Sequence, residues 1–270
     1  MSTQQAPWQW QVEELDLDAM RIVLSGYFDE SWYQGRGVFG GLSAAIILQG
    51  MIELEPNRNP RSFTLHCAAP IKAGPAKLFV NCERRGAKVS HLSARLLDSQ
   101  QQVLAFASAS FGETRPLKQE IQAPSPPVAP LPEEVAEVPK TLPIMPAFCQ
   151  YFSYRFCLDY LPYTQAQQAS IGGWCELRQP LDLSFPYIAC ILDAWAPALF
   201  PTLKAPIRAA SVDFSYHFLC SREELSALAL PFLYRGEVLS LYEGYAEERD
   251  FLWDKDGKPI ASARQLYAFS

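Results

Sequence analysis

The chain has 270 residues, 49% of them hydrophobic and 13% aromatic, with 23 basic against 29 acidic residues and a formal charge of -6. That length suffices for one large or two medium domains with proper cores, and the apolar content excludes a disordered chain. An acidic balance with scattered lysines and arginines excludes a phosphate-tracking groove, so no nucleic-acid partner and no anionic membrane surface is expected.

The first residues, MSTQQAPWQWQVEELD, lack a basic segment followed by an apolar core, and a cytoplasmic protein is expected. A strand is predicted over Arg21 to Phe28. After it VFGGLSAAIILQGMIEL places small and apolar residues at helical spacing behind Gly40-Gly41, which predicts a buried helix entered through a tight glycine turn. Next come SFTLHCAAPI, AKLFVNCERRG, KVSHLSARLLD and QQVLAFASASF, rich in β-branched and aromatic residues and separated by turn-like segments. The pattern predicts one helix followed by an antiparallel meander over residues 1–115.

Nine of the 22 prolines fall between Pro116 and Pro146, a composition that blocks helix and central strand and reads as an extended linker over 116–146. The remainder, 147–270, repeats the plan: the aromatic strand YFSYRFCLDYL, the segment WCELRQPL, an apolar helix, then SVDFSYHFL, LPFLYRGEVLSLYEGYAEERDFLWD and KPIASARQLYAF. The last hairpins share a grammar, LLDSQQQVLAFASASF against LWDKDGKPIASARQLYAF, with an Asp-Gly turn in the second. This predicts an internal duplication and an α+β fold of two tandem units, each an antiparallel sheet wrapped around a long helix.

The second predicted helix lies in LSFPYIACILDAWAPALFPTL, between Asp182 and Lys204, where Asp193 is the one charged residue. An ionised carboxylate in apolar surroundings costs several kcal/mol unless partnered, so a chain keeps one there for a structural pair or for chemistry. Pro186, Pro197 and Pro201 together with the acid favour a buried helix over a membrane span. The seven cysteines form no CxxC pair and read as reduced thiols; His66, His91 and His217 are too dispersed for a metal cluster. No metal and no cofactor is expected.

VFGGLSAAI in the first half and GGWCELRQPLD, ILDAWAPALF, ASVDFSYHFL and DGKPIASARQL in the second together resemble the double-hotdog acyl-CoA thioesterases of the thioesterase II superfamily. The resemblance covers nearly the whole chain outside the proline-rich stretch, and its specificity lies in the order and spacing of the second-half motifs. It implies two hotdog units, an acyl-CoA substrate, a homodimer, and one active site per chain at the junction of the halves. The family pattern places an Asp on the second helix, a Thr or Ser in a T/S-x-D strand segment and a Gln near the end of the last strand. Here these are Asp193, Ser211 and Gln265. Counted from Ile260 and Leu104, Gln265 corresponds to Ala109 in the first half, where the amide is lost.

The chain also departs from the pattern. Phe214 stands where the best-studied branch carries a His, which makes Asp213 a structural or rim residue, and ERRGAKVSHLSAR only loosely resembles that branch's Arg-Asp-Gly signature. The implied chemistry is hydrolysis by water, with Asp193 as base and Ser211 and Gln265 holding the water; no covalent intermediate is required. Gly40 and Gly41 could offer backbone N–H groups to the oxyanion, or could serve only close packing. Phe39, Leu42 and Trp195 could contact the acyl chain, or could be plain core. Arg84, Arg85 and Lys88 could meet coenzyme A phosphates, or could be solvated charges beside a turn. Ordinary structural roles stand beside the catalytic ones: a buried ion pair for Asp193, a strand-end hydroxyl for Ser211, a solvent-facing polar group for Gln265. A hotdog hydratase or dehydratase, which would rely on a His with an acid partner, and a non-catalytic acyl-CoA binding or scaffold protein are the competing readings.

Overall fold

A computed structural model describes residues 5–119, 121, 123–140 and 142–270. The chain forms two compact units. Unit 1 comprises Met1–Glu120, Pro146–Phe148 and Leu181–Cys190; unit 2 comprises Ile121–Met145, Cys149–Pro180 and Ile191–Ser270.

Unit 1 contains β1 (Gln11–Asp16), β2 (Arg21–Phe28), the two-residue strands β3 (Tyr33–Gln34) and β4 (Gly37–Val38), α1 (Gly40–Leu54), β5 (Asn59–Cys67), β6 (Gly74–Arg85), β7 (Val89–Asp98) and β8 (Val103–Gly112). Six strands form an antiparallel sheet in the order β1-β2-β6-β7-β8-β5. Strand β7 shows why: Ser90, Leu92, Ala94 and Leu96 are buried and alternate with more exposed neighbours, the period of two that a half-buried strand requires. Helix α1 is apolar almost all round, and eleven of its fifteen residues are buried. Gly50 lets it lie close to the sheet, since a Cβ there would come within 2.8 Å of Leu78 and 3.0 Å of Leu24.

Unit 2 contains β9 (Phe152–Asp159), β10 (Ser170–Leu177), β11 (Ala209–Phe218), the short α3 (Arg222–Leu225), β12 (Phe232–Tyr242), β13 (Tyr245–Trp253) and β14 (Pro259–Phe269); α2 (Phe185–Leu192) is shared, its residues through Cys190 grouping with unit 1. The strands again form a six-stranded antiparallel sheet, in the order β9-β10-β12-β13-β14-β11. Order and direction match unit 1 strand for strand. Even an irregularity recurs: the pairing of β5 with β8 slips between Pro60 and Ser62, and that of β11 with β14 slips between Ser211 and Asp213. The long predicted run 230–254 divides into β12 and β13 at Glu243 and Gly244, both at positive φ, as a tight hairpin turn demands.

Two expectations need correction. A long central helix in each unit is not found: α2 has eight residues, against fifteen in α1. Its pattern was apolar enough to continue, but after Leu192 the Ala194 N–H turns back to the Ile191 carbonyl at 3.1 Å. Pro197, which has no N–H and restricts the residue before it, then prevents resumption. The proline-rich stretch is also more than a spacer, because Ile121–Met145 groups with unit 2. Prolines lack a donor but keep an acceptor, and two indoles use it: Trp253 Nε1 donates to the Pro124 carbonyl at 2.9 Å and Trp174 Nε1 to that of Pro130 at 3.0 Å. Ala129 and Val135 pack against the Trp174–Leu233–Trp253 cluster below. No helix among the described residues is long and apolar enough to cross a membrane.

Candidate active site

The early end of α2 decides where Asp193 sits. It is the first residue past the helix, 6% exposed, in a turn held from two sides. Tyr154 Oη donates to the Ala194 carbonyl at 2.8 Å, and Trp195 stacks on Tyr234 with ring centroids 5.1 Å apart. Tyr154 and Phe156 meet the same indole edge-on, at 5.7 and 5.0 Å. A turn packed this way cannot swing, so the carboxylate is presented in one direction.

The three residues expected to work together meet. Gln265 Nε2 donates to Asp193 Oδ1 at 3.1 Å and contacts Ser211 Oγ at 2.6 Å. Gln265 is 2% exposed, on the inward face of β14 rather than on a solvent face. Ser211 stands where the β11–β14 pairing slips, opposite Tyr267, so the irregular backbone aims its hydroxyl at the amide of the neighbouring strand. Asp213, two residues on, lines an open cleft of about 490 Å³ with Ser240, Tyr242, Tyr245, Arg264 and Gln265.

Behind Gln265 lies a second group, which the sequence reading missed. Glu248 on β13 is paired with Gln265 across the strands and is 1% exposed; Asp250, two residues further along the same face, is 0% exposed. Tyr234 Oη donates to Asp250 Oδ1 at 2.6 Å and approaches Glu248 Oε1 at 3.3 Å, while Glu248 Oε2 accepts the Ala198 N–H at 2.7 Å. Burial pushes the Glu248 carboxyl up to about 7, with the Asp193 charge adding to the rise, and hydrogen bonds from Ala198, Asp250 and Tyr234 partly offset it. Asp250 is raised well above its ordinary value by burial and then by the Glu248 charge. The phenols of Tyr234 and Tyr267 are raised by burial first and by these carboxylates second, and stay neutral. Gly236 makes the niche: a Cβ there would meet Tyr234 Oη at 2.5 Å, and Glu248 Oε1 and Asp250 Oδ1 at 2.8 Å.

The remaining expected residues have plainer settings. In unit 1, Phe39 is fully buried and stacks on Phe148 at 4.1 Å, Leu42 is buried, and Gly41 allows a close approach, since a Cβ would meet the Phe39 ring at 2.3 Å and the Cys190 carbonyl at 2.9 Å. Gly40 opens α1, whose N-cap Phe39 has no side-chain cap, so the first-turn N–H groups receive no capping oxygen from it. Trp195 in unit 2 is core. Arg85 is engaged by buried Glu55 at 3.2 Å. His66 stacks on Phe106, and His91 Nδ1 meets Ser110 Oγ at 3.1 Å. All seven cysteines are free thiols, and burial pushes that of Cys149 up to about 11, away from nucleophilic use.

Residues 28–112 match the acyl-CoA thioesterase N-terminal domain and residues 125–269 the acyl-CoA thioesterase C-terminal domain. The chain belongs to the acyl-CoA thioesterase family. The thioesterase resembles a hot dog fold protein from Alicyclobacillus acidocaldarius at a TM-score of 0.84 and 24% identity, over 92% of this chain and 93% of that one. It resembles an acyl-CoA thioesterase II, TesB2, from Mycobacterium marinum at 0.72 and 16% identity, over 96% of each chain. A TesB protein from Mycobacterium avium subspecies paratuberculosis matches at 0.74 and 16%, over 96% and 95%. At these identities the likeness fixes the hot dog fold. No curated protein gives a significant match. The reaction class is hydrolysis of a thioester, the activity of the family.

Proposed function

We propose that this thioesterase hydrolyses acyl-CoA by attack of a water activated by Asp193, with Ser211 and Gln265 orienting that water, on a double-hotdog framework. One observation carries the reading: a single buried amide reaches both the Asp193 carboxylate and the Ser211 hydroxyl. Asp193 takes a proton as the water oxygen bonds to the thioester carbon. The tetrahedral oxyanion then collapses, the C–S bond breaks, and the CoA thiolate leaves and is protonated. Nothing in this sequence needs a covalent acyl-enzyme. Backbone N–H groups at Gly40 and Gly41 are proposed as oxyanion donors, supported by the uncapped first turn of α1.

Phe39, Leu42 and Trp195 are proposed as acyl contacts, and the chain-length preference of Leu42→Ala and Trp195→Phe reads that role. A homodimer is proposed by family resemblance, and light scattering at working concentration tests it. Fractionation tests the proposed cytoplasmic setting. The central experiment is release of free thiol from acyl-CoAs ranging from acetyl to palmitoyl, with phenylacetyl and benzoyl, by wild type and Asp193→Asn. Turnover lost at least a thousandfold in the variant, with the fold intact by circular dichroism, supports the reading; an equally active variant removes Asp193 from the chemistry.

A further inference from the structure

We infer that Glu248 is a positioning residue for this hydrolysis: it fixes the turn that carries Asp193 and supplies a switchable negative charge behind the base. The inference rests on the proposal that Asp193 is that base. Its geometric ground is the bond from the Ala198 N–H to Glu248 Oε2, five residues beyond Asp193, together with the cross-strand pairing of Glu248 and Gln265. One carboxylate thus holds the far end of the Asp193 turn and stands beside the amide that grips Asp193.

A comparison within the chain shows that this cluster is specific to unit 2. Aligning Ala109 with Gln265 and carrying that register across the sheets pairs Leu92 with Glu248, Ala94 with Asp250, Leu78 with Tyr234 and Val80 with Gly236. All five unit 1 positions are buried and apolar. The unit 2 set therefore occupies positions that the fold fills with hydrocarbon where no chemistry is needed. The glycine among them is required, because the three oxygens converge where its side chain would be.

The groups facing Glu248 are Asp193 from the turn after α2, Tyr234 from β12, Asp250 from β13 and Tyr267 from β14. No lysine or arginine pairs with Glu248 or Asp250 among the described residues. Below its titration the Glu248 carboxyl is protonated and adds no charge behind Asp193. Above it, one negative charge appears there. A like charge disfavours a carboxylate anion and favours its protonated form, which is what Asp193 becomes as the water is deprotonated. The charge thus assists the transition state, and kcat should rise with pH through neutrality.

The test is the pH profile of kcat and KM for the acyl-CoA that wild type turns over fastest, with Glu248→Gln and Asp250→Asn. Glutamine keeps an acceptor for Ala198 but cannot ionise. It should remove the near-neutral rise and lower kcat about tenfold on its alkaline side with KM little changed. Asp250→Asn removes the carboxyl whose hydrogen bond lowers the Glu248 titration and should move the rise to more alkaline pH. A wild-type profile in Glu248→Gln, or in Asp250→Asn should the first variant not fold, overturns the inference. Infrared difference spectra of the carboxyl band keep this separate from the identity of the base. In Asp193→Asn the Glu248 titration should shift to more acid pH whether or not that variant turns over, and an unmoved band refutes the electrostatic link.

Discussion

The two units answer the problem of a buried acid in opposite ways. In unit 1, Glu55 closes the C-terminus of α1 with its side chain fully buried, and cations and hydroxyls surround it. Ser90 Oγ donates to it at 2.7 Å, Arg85 pairs with it at 3.2 Å, and buried Arg58 donates to Ser90 at 2.6 Å and to the Gly86 and Ala87 carbonyls. In unit 2, Asp193 takes a hydrogen bond from a neutral amide, and Glu248 and Asp250 are held by a phenol and a backbone N–H. An acid matched to a guanidinium is tied into a structural pair. Among neutral donors, burial raises the Glu248 carboxyl to about 7, close enough to physiological pH to remain available for chemistry.

The largest effect should come from unit 1. Glu55→Ala takes the partner from half-exposed Arg85 and the acceptor from buried Ser90 and leaves a cavity, while Arg58 keeps its own partners; it should lower the unfolding free energy by about 3–4 kcal/mol, read by urea titration, while kcat for acyl-CoA is unchanged. A lost kcat in a folded Glu55→Ala protein would break the division of labour between the units.

Next in size is the pH dependence of stability from Glu248. Its carboxyl titrates near 4.5 when unfolded and is raised to about 7 when folded, so the folded state binds the extra proton between these values. The resulting stabilisation is full below about 4.5 and gone once pH has risen through about 7, an effect of about 3 kcal/mol. Glu248→Gln should flatten that slope in denaturant titrations taken across the window. A slope unchanged by the substitution would assign it to other groups.

Gln265→Ala installs the unit 1 residue at the unit 2 position and should cost roughly a hundredfold in thiol release, about 2.7 kcal/mol of barrier. The reciprocal Ala109→Gln should be the smallest change. With Leu92 and Phe63 as its cross-strand neighbours, an amide there has no acid to orient, and thiol release should stay at the wild-type rate. An increase would mean that unit 1 holds a latent second site.

Local pattern was enough for the duplication, the antiparallel meanders, the family resemblance and the choice of three residues that the structure joins. Period-two burial and turn residues act locally, and Asp193 was conspicuous because its neighbours are apolar for many residues on either side. Glu248 and Asp250 gave no such signal, since YAEERDFLW carries charges on both faces of the strand and alternation cannot say which face turns inward. Their signal lies in the register of the duplicated hairpin, where Glu248 stands across from Gln265 as Leu92 stands across from Ala109. The length of α2 and the docking of the proline-rich stretch were decided by tertiary structure. The helix ends at Leu192, where the Ala194 N–H turns back to the Ile191 carbonyl, and the chain beyond is held by the Ala198 N–H on the carboxylate of Glu248, fifty residues ahead. The proline carbonyls likewise accept hydrogen bonds from indoles that only the folded sheet brings beneath them.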